Sequence, residues 1–309
     1  MRVVIVHNSS AGEPQHSGDA LVRLIRGAGH DPAYFPVNDD AWKGALDGFA
    51  EVVAVAGGDG TVEEVARAVA GRQLPIAVLP LGTANNISRA LGQADIQIEE
   101  LVAGWAGASR QPFDVGLARG PWGTFRFLES VGAGLLADGI AEIKAGGAGD
   151  VRRAGNAGDQ MAAARRLFHR LLGSMAAMRF SLSLDGRDRS GEYVLIEALN
   201  FGAAGPNLRF VPRAEPSDGL LDVVLVDERH RRHLAQHLSS PMNPAGAGLP
   251  VYQTRHVRLS SERCNLHMDG NVWSGREAGE GPIVIDLSVE PKALTFLRLK
   301  PDPTTLVVQ

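Results

Sequence analysis

Residues 51–69 read EVVAVAGGDGTVEEVARAV, an apolar run followed by a glycine-rich turn and then by apolar residues at helical spacing. Residues 51–56 predict a buried strand, and residues 62–69 predict a helix. The glycines between them let the backbone approach a ligand closely, and Thr61 is expected to cap the helix. Because the first N–H groups of a helix have no partner within the helix, this turn predicts a phosphate-binding loop.

Asp59 stands in the middle of this turn. A carboxylate repels phosphate, so its presence favours a role in holding Mg²⁺ or in accepting the proton of an attacking hydroxyl. A tight turn with a helix cap would explain the glycines alone equally well, because one short glycine motif is not specific.

Two further polar loops follow apolar runs in the first third of the chain. Residues 8–12, NSSAG, follow the run 3–6, and residues 80–86, PLGTANN, follow the run 76–79 and lead into helical spacing. Repeated strand, turn and helix units predict a parallel sheet with helices on both faces. The carboxyl ends of parallel strands lie on one edge, where ligands bind, so the three loops predict a nucleotide site.

The pattern changes after about residue 112, where short strand candidates follow one another with one long helical stretch among them. These candidates are residues 113–118, 124–131, 180–184, 193–199, 221–226, 251–259 and 283–289. Such a series is typical of an antiparallel sandwich or barrel. The predicted fold class is therefore α/β plus β, with an α/β domain at residues 1–118, to which residues 293–309 return, and a β-sandwich domain at residues 119–292.

The composition excludes several classes of protein. The chain has 309 residues, of which 44% are hydrophobic and 21% charged, so it can bury a core and is not disordered. Its net charge of -4 argues against a nucleic-acid partner. Cys264 is the only cysteine, which excludes an intrachain disulfide and a cysteine-based zinc site.

The sequence also predicts where the protein is found. No apolar run approaches the ~18 residues that span a bilayer, and the first residues are typical of a strand rather than a signal peptide. We therefore expect a cytoplasmic protein.

In combination, the motifs resemble those of the diacylglycerol kinase catalytic-domain family, in particular the bacterial lipid kinases related to sphingosine and ceramide kinases. The GGDGT motif alone is also similar to loops of NAD kinases and phosphofructokinases, whereas the order of all the motifs together is far more specific. The matching segments are NSSAG at 8–12, GGDGT at 57–61, PLGTAN at 80–85, NFG at 200–202, PRA at 212–214, DGLLD at 218–222 and DG at 269–270.

The resemblance implies an ATP-dependent lipid kinase. It would phosphorylate the hydroxyl of a diacylglycerol-like lipid in a cleft between an α/β nucleotide-binding domain, like that of NAD kinases and phosphofructokinases, and a β-sandwich domain. Its cofactors would be ATP and Mg²⁺. The residues that would bind ATP are Asn8, Gly57, Gly58, Asp59, Gly60, Thr61, Glu63, Gly82, Thr83 and Asn85.

The resemblance also implies a structural Mg²⁺ site. Its ligands would be the carbonyl oxygens of Glu215 and Leu220 and the carboxylate of Asp218. A hard cation prefers such oxygen ligands. Judged by spacing alone, a simple turn before the strand at 221–226 explains these residues about as well.

Two positions depart from the family's pattern. Asn86 stands where the family commonly has Asp, and Asn271 stands where the family's proposed general base is Glu. An amide cannot accept the proton of an attacking alcohol. We favour Asp59 as the base, as is proposed for the sphingosine-kinase branch, with Asp269 supporting it. Asp269 or Glu277 could replace the missing base, or the protein could bind nucleotide or lipid and catalyse poorly.

A second enzymatic interpretation is an NAD kinase, which would share the GGDGT motif. The PLGTAN and DGLLD motifs disfavour it. ATP consumption with a lipid acceptor, against none with NAD, would separate these alternatives.

The partners follow from the same interpretation. A lipid kinase must reach the bilayer without spanning it, and the basic, amphipathic segment 165–172 is a candidate for peripheral contact at the inner membrane face. A solvated helix is the more common explanation of such a segment. Residues 229–237 hold three histidines among arginines and predict a basic surface rather than a metal site. The family resemblance also allows a homodimer.

Overall fold

The structure is a computed structural model of the chain. It describes residues 1–12, 16–48, 50–240, 247–262, 264–274 and 281–299. The chain divides into two compact units, one formed by Met1–Phe113 with Ala293–Gln309 and the other by Asp114–Lys292.

The helices and strands are numbered in chain order. The α-helices are α1 (Gly18–Gly27), α2 (Ala41–Ala45), α3 (Asp59–Val69), α4 (Asn86–Ala90), α5 (Ile98–Gly104), α6 (Leu135–Ala145), α7 (Gly149–Arg153), α8 (Ala157–Ser174) and α9 (Arg231–Ser239). The strands are β1 (Arg2–His7), β2 (Asp31–Pro36), β3 (Val52–Gly57), β4 (Ile76–Pro80), β5 (Ser109–Gly120), β6 (Gly123–Phe127), β7 (Ser130–Gly134), β8 (Met178–Leu184), β9 (Arg187–Asp188), β10 (Gly191–Tyr193), β11 (Leu195–Leu199), β12 (Ala203–Ala204), β13 (Leu208–Arg209), β14 (Leu221–Val226), β15 (Val251–Thr254), β16 (Val257–Ser261), β17 (Leu266–Met268), β18 (Asn271–Trp273) and β19 (Ile283–Arg298).

The first unit contains a parallel sheet in the order β2, β1, β3, β4 and the end of β19. All six residues of β3 are buried, as expected for a parallel strand that is covered on both faces. Helix α1 packs Leu21 and Ile25 into the same core, and α5 contributes Leu101 and Val102. The predicted α/β arrangement is therefore confirmed, with all four strands β1 to β4 ending at one edge.

Strand β2 is absent from the sequence prediction because its sequence, DPAYFP, contains Pro32 and Pro36. Proline cannot donate a hydrogen bond to a neighbouring strand and is confined to edge strands. β2 is an edge strand of this sheet and pairs only with β1 among the described strands. The prolines therefore mark an edge rather than a loop.

The second unit is an antiparallel sandwich, as predicted. One sheet has the order β15, β14, β11, β7, β17 and β18, and the facing layer contains β10, β8, β16 and the start of β19. Residues of both layers form one apolar core, among them Val131, Ile196, Leu266, Phe180, Leu259 and Ile285. The other face of the first sheet is covered by α6, α8 and α9.

A buried polar pair crosses β7 at the centre of that sheet. Glu197 and His267 both pair in register with Gly132, from opposite sides. His267 Nε2 lies 2.9 Å from Glu197 Oε1, and both side chains are almost fully buried. A Cβ atom at residue 132 would overlap the Glu197 carboxylate. Glycine is therefore required at this position so that the two side chains can meet.

His237 is buried, which corrects the predicted basic surface at this position. It belongs to α9 and is 3% exposed. The centroid of its ring lies 5.4 Å from that of Phe210. Neither ring nitrogen has a hydrogen-bond partner among the described residues. Burial lowers the pKa of His237 to about 4, so the imidazole is neutral in the folded protein at pH 7.

We expect the free energy of unfolding to fall by about 3 kcal/mol between pH 6.5 and pH 4 because of His237 alone. The unfolded chain, with an ordinary histidine pKa, takes up the proton first, and each further decrease in pH favours it. The contribution of His237 is measured as the difference between the free energies of urea unfolding of the wild type and of His237→Leu at each pH. Equal pH dependence of the two proteins would contradict the buried neutral imidazole.

Candidate functional site

Three loops of the first unit meet at the carboxyl edge of its sheet. They surround a pocket of about 310 Å³ that also reaches the end of β2. The lining residues are Asn8, Ala11, Val37, Gly58, Gly60, Thr61, Glu64 and Gly82. The pocket thus contains residues from the loops after β1, β3 and β4, which the sequence predicts to come together.

Glycines allow two of these loops to touch through their backbones. A Cβ atom on Gly82 would overlap the Cα atom of Gly58 and would lie 2.8 Å from Asn85 Oδ1. A Cβ atom on Gly57 would lie 2.6 Å from Thr61 Oγ1. Gly60 has open space at the same position. Gly82 therefore permits the close packing of the two loops and Gly57 permits the tight turn into α3, whereas Gly60 leaves room for a ligand.

Asp59 links the second loop to the third. Its Oδ2 accepts a hydrogen bond from Asn86 N, and its Oδ1 accepts one from Ile87 N, both at 3.0 Å. These N–H groups belong to the first turn of α4, where helix N–H groups lack partners within the helix and favour a negative charge. The Asp59 carboxylate thus holds the start of α4 against the start of α3.

Asn85 closes the third loop on itself. Its backbone is left-handed, with φ of 50°, a conformation that asparagine tolerates better than most residues. Its Oδ1 accepts from Gly82 N at 2.9 Å, and its Nδ2 donates to Gly82 O at 2.9 Å. The side-chain amide of Asn85, which the resemblance assigns to nucleotide binding, therefore stabilises the conformation of the loop.

Asn8 connects the first loop to the second. Its Oδ1 accepts from Ser10 Oγ at 2.7 Å, and its Nδ2 donates to Thr61 Oγ1 at 3.4 Å. The expectation that Thr61 caps α3 is wrong. The helix begins at Asp59 with Gly58 as its N-cap, so Thr61 already lies in the first turn.

Five of the ten predicted ATP-binding residues do not line the pocket, namely Gly57, Asp59, Glu63, Thr83 and Asn85. Glu63 is buried, and its Oε2 accepts from Arg67 Nη2 at 3.2 Å. Thr83 is exposed beside Gly82. The exposed Glu64 lines the pocket as well, although it is absent from the predicted site residues. Helical spacing from Gly60 would have indicated Glu64, because residues four apart share a helix face.

Asp269 lies in the second unit and is 8% exposed. Its carboxylate accepts hydrogen bonds from three successive backbone N–H groups, those of Leu128 at 2.9 Å, Glu129 at 2.8 Å and Ser130 at 3.2 Å. Its own N–H donates to Ser130 O at 2.9 Å. Asp269 therefore holds the segment before β7 and serves as a structural acceptor in this geometry.

Asn271, at the position of the family's proposed base, and the candidate Glu277 follow Asp269 in sequence. Asn271 begins β18 and is exposed. Glu277 lies outside the described residues. Asp59 belongs to the first unit, whereas Asp269 and Asn271 belong to the second.

The predicted metal ligands form a tight turn of the second unit. Asp218 Oδ1 accepts from Leu220 N at 2.9 Å, and Asp218 N donates to Glu215 O at 3.4 Å. Asp114 supports this turn, because its Oδ2 accepts from Gly219 N at 2.7 Å. Asp218 is thus bonded to the backbone of both other residues of the predicted site, at Leu220 N and at Glu215 O.

Two buried carboxylates, those of Asp114 and Asp222, lie close to Asp218 in this turn. Burial raises the pKa of Asp114 and of Asp222, and the charge of Asp218 raises both further. The Asp218 carboxylate thus disfavours the ionised form of both neighbours. Among the described residues, no group of three or more His, Cys, Asp or Glu side chains has the geometry of a metal site. A cation here would therefore depend on the backbone carbonyls as well.

A larger pocket, of about 730 Å³, lies in the second unit. It combines the apolar side chains of Met178 and Phe180 with polar groups. The polar lining residues are Arg179, Ser181, Ser190, Ser260, Ser261 and Glu262.

In the part of the chain that the structure describes, no helix has the length and apolar character needed to cross a bilayer.

Models of two known domain families match segments of the two units. Residues 2–118 match the diacylglycerol kinase catalytic domain, and residues 142–298 match the YegS C-terminal NAD kinase beta sandwich-like domain. The chain therefore belongs to the diacylglycerol kinase family that includes the YegS-like lipid kinases.

Relatives match over most of their length. The protein named "Diacylglycerol kinase" from Mycobacterium tuberculosis (strain ATCC 25618 / H37Rv) is 25% identical over 92% of this chain and 86% of its own length. "Probable lipid kinase YegS-like" from Pseudomonas aeruginosa (strain UCBPP-PA14) is 30% identical over 94% and 92%. The crystal structure of a diacylglycerol kinase from Bacillus anthracis str. Sterne has the same fold, with a TM-score of 0.71, 19% identity and coverage of 99% and 98%.

Proposed function

We propose that this protein is an ATP-dependent lipid kinase that transfers the terminal phosphoryl group of ATP to the hydroxyl of a diacylglycerol-like lipid. The observation that carries the proposal is the pocket where the loops after β1, β3 and β4 meet. Family membership and the names of the relatives support the reaction and the class of acceptor.

The pocket is suited to phosphate by its backbone. Gly58, Gly60 and Gly82 line it without side chains, so phosphate oxygens can approach the main chain. The first turn of α3 adds N–H groups and the positive end of the helix dipole. Because phosphoryl transfer depends mainly on positioning and charge stabilisation, a rigid backbone cradle supplies much of what the reaction requires.

Mg²⁺ would be held in the second unit by Asp218 and by the carbonyls of Glu215 and Leu220. The charge of Asp218, which adds to burial in raising the pKa of Asp114 and of Asp222, supports this assignment, since a divalent cation would offset it. When bound, the ion would supply positive charge that stabilises this turn. Asp114 would keep the turn in place through its bonds to Gly219 N and Lys292 N.

We assign Asp59 first to positioning, because both of its oxygens already accept backbone N–H groups. The role of general base stays a prediction.

Asp59→Ala is expected to lower phosphate transfer at least 100-fold and the free energy of unfolding by about 1 kcal/mol, the usual cost of a lost helix cap. Asp59→Asn keeps one acceptor oxygen and is expected to retain measurable transfer, determined with radiolabelled ATP and diacylglycerol.

The two roles of Asp59 give different results in this experiment. If Asp59→Asn is as stable as the wild type but as inactive as Asp59→Ala, positioning is contradicted and the base is favoured. Gly44→Ala serves as the control, because a Cβ atom there meets no other atom within 4 Å.

The proposed function is tested by incubating the purified protein with MgATP and a panel of acceptors. The panel contains diacylglycerol, phosphatidylglycerol, a sphingoid base and NAD, and the products are separated by chromatography. Transfer to a lipid and none to NAD is the expected result. Transfer to NAD would identify an NAD kinase, and ATP binding without transfer to any acceptor would identify a binding protein that lacks kinase activity.

A further inference from the structure

His7 ends β1 and directly precedes the first loop of the nucleotide pocket, residues 8–12. It is almost fully buried, with 2% of its surface exposed. Its carbonyl oxygen accepts a hydrogen bond from Val37 N at 2.8 Å, and the next residue, Asn8, donates its N–H to Ala56 O at 2.9 Å. Because Asn8 and Val37 both line the pocket, His7 anchors two parts of the pocket wall.

The side chain of His7 also reaches the far end of the same connection through Tyr34. His7 Nδ1 lies 3.1 Å from Tyr34 Oη, and the two rings meet edge to face with their centroids 5.9 Å apart. The Tyr34 ring packs so closely on Gly18, the first residue of α1, that a Cβ atom there would lie 2.5 Å from Cζ of the ring. The chain leaves β1 at His7 and enters α1 at Gly18, so the two rings join both ends of this connection.

The surroundings of His7 favour the neutral imidazole. Its Nε2 is buried and has no hydrogen-bond partner among the described residues. Burial lowers the pKa of His7, and the charge of His16 lowers it further. His16 lies beside the loop, since a Cβ atom at Gly12 would be 3.4 Å from its Nδ1. Burial and the charge of Asp19 raise the pKa of Tyr34, so that its hydroxyl is neutral as well.

The other elements beside β1 offer no charge that would pair with a protonated His7. Its register partner on β3 is Ala56. On α2 the exposed Lys43 Nζ lies 2.5 Å from Asp40 Oδ1, so these two charges satisfy each other. Among the described residues, a proton on His7 would therefore meet a second imidazole in His16 and no carboxylate in ion-pair contact.

We propose that His7 is a positioning residue of the nucleotide site, whose neutral imidazole holds the first loop in place and whose protonation releases the loop. The proposal rests on the proposed function, which assigns this loop to ATP. A charged imidazole is costly in a buried site, so proton uptake favours conformations in which the loop has opened and water reaches His7. A hydrated imidazole has a pKa of about 6.5. The closed loop is thus fully favoured above that pH and loses stability as the pH falls below it.

The test is hydrogen exchange of the loop without nucleotide, at pH values of about 7.5 and about 5.5, in the wild type and in His7→Gln. The amides to follow are those of Asn8, Ala11 and Val37, all of which donate hydrogen bonds. Division of the wild-type rate by the variant rate at the same pH cancels the pH dependence of chemical exchange. This ratio is expected to rise about fivefold from the higher to the lower pH, with about tenfold as the upper limit for a pKa of 6.5 in the open loop.

Two further variants fix the interpretation. His7→Leu is apolar and cannot titrate, so it is expected to give the same rise in the ratio as His7→Gln. His169→Gln replaces an exposed histidine of α8 in the second unit and should exchange the loop amides as the wild type does at both pH values. If His7 were only a core residue, its protonation would accompany unfolding of the whole unit, and loop amides that exchange through smaller openings would not respond.

A ratio that stays constant with pH for both His7 variants would overturn the proposal, as would slower loop exchange in the wild type at the lower pH. Addition of MgATP to the same samples tests the proposed function separately. If MgATP slows exchange in none of the three loops at either pH while the ratio rises as expected, the nucleotide assignment fails and the effect of His7 on the loop stands.

Discussion

Replacing Gly82 with alanine is expected to weaken ATP binding at least 100-fold and to lower the free energy of unfolding by about 2 kcal/mol, a typical cost of overpacking. The added methyl group would overlap the Cα atom of Gly58, and a backbone atom cannot swing aside as a flexible side chain can. The two loops would have to separate, and the phosphate cradle between them would open. Titration calorimetry with ATP and urea unfolding measure the two effects.

Gly60→Ala separates the ligand effect from the stability effect. Residue 60 lines the pocket, but a Cβ atom there has open space in the folded protein. Alanine in the first turn of α3 should leave stability unchanged or raise it by up to about 1 kcal/mol, while the methyl group obstructs a bound phosphate. If Gly82→Ala binds ATP as tightly as the wild type does, the contact between the two loops is not needed for ATP binding, which would contradict the proposed phosphate cradle.

Replacing Asp269 with alanine is expected to lower the free energy of unfolding by about 4 kcal/mol, because three backbone N–H groups would lose their acceptor at roughly 1–3 kcal/mol each. Loss of activity would follow from loss of structure in the segment before β7. Asn271→Ala, two residues away and exposed, should change stability by less than about 0.5 kcal/mol. Urea unfolding of both variants measures the difference.

A stable but inactive Asp269→Ala protein would contradict this structural role. It would instead favour the supporting catalytic role that the sequence motifs predict for Asp269. The structure predicts that stability and activity fall together at this residue and that neither falls with the loss of the Asn271 amide.

Local patterns predict the framework of the fold. Continuous apolar runs followed by glycine turns predict β1, β3 and β4, because strands buried on both faces need no alternation of polar residues. The same reasoning brings the three loops to one edge. It fails for β2, whose prolines are typical of loops until the strand is seen at the edge of the sheet.

The roles of individual site residues depend on partners that are distant in sequence. Asp59 bonds to residues 27 and 28 positions away, and Asp269 bonds to residues about 140 positions away. Neither interaction leaves a periodic trace in the sequence, so both carboxylates are predicted from motif chemistry as catalytic. The burial of His237 is hidden in the same way, because its arginine-rich neighbours indicate a surface helix while its own side chain faces the apolar core.

Hydrogen exchange of the backbone, followed by mass spectrometry with and without MgATP, tests the central claim most directly. The account predicts slower exchange on ATP addition in residues 8–12, 57–64 and 80–87, which surround the pocket of the first unit. It predicts no slowing by ATP in residues 178–181 and 260–262, which line the larger pocket of the second unit. Protection confined to those later residues, or no protection in the three loops, would contradict the nucleotide site.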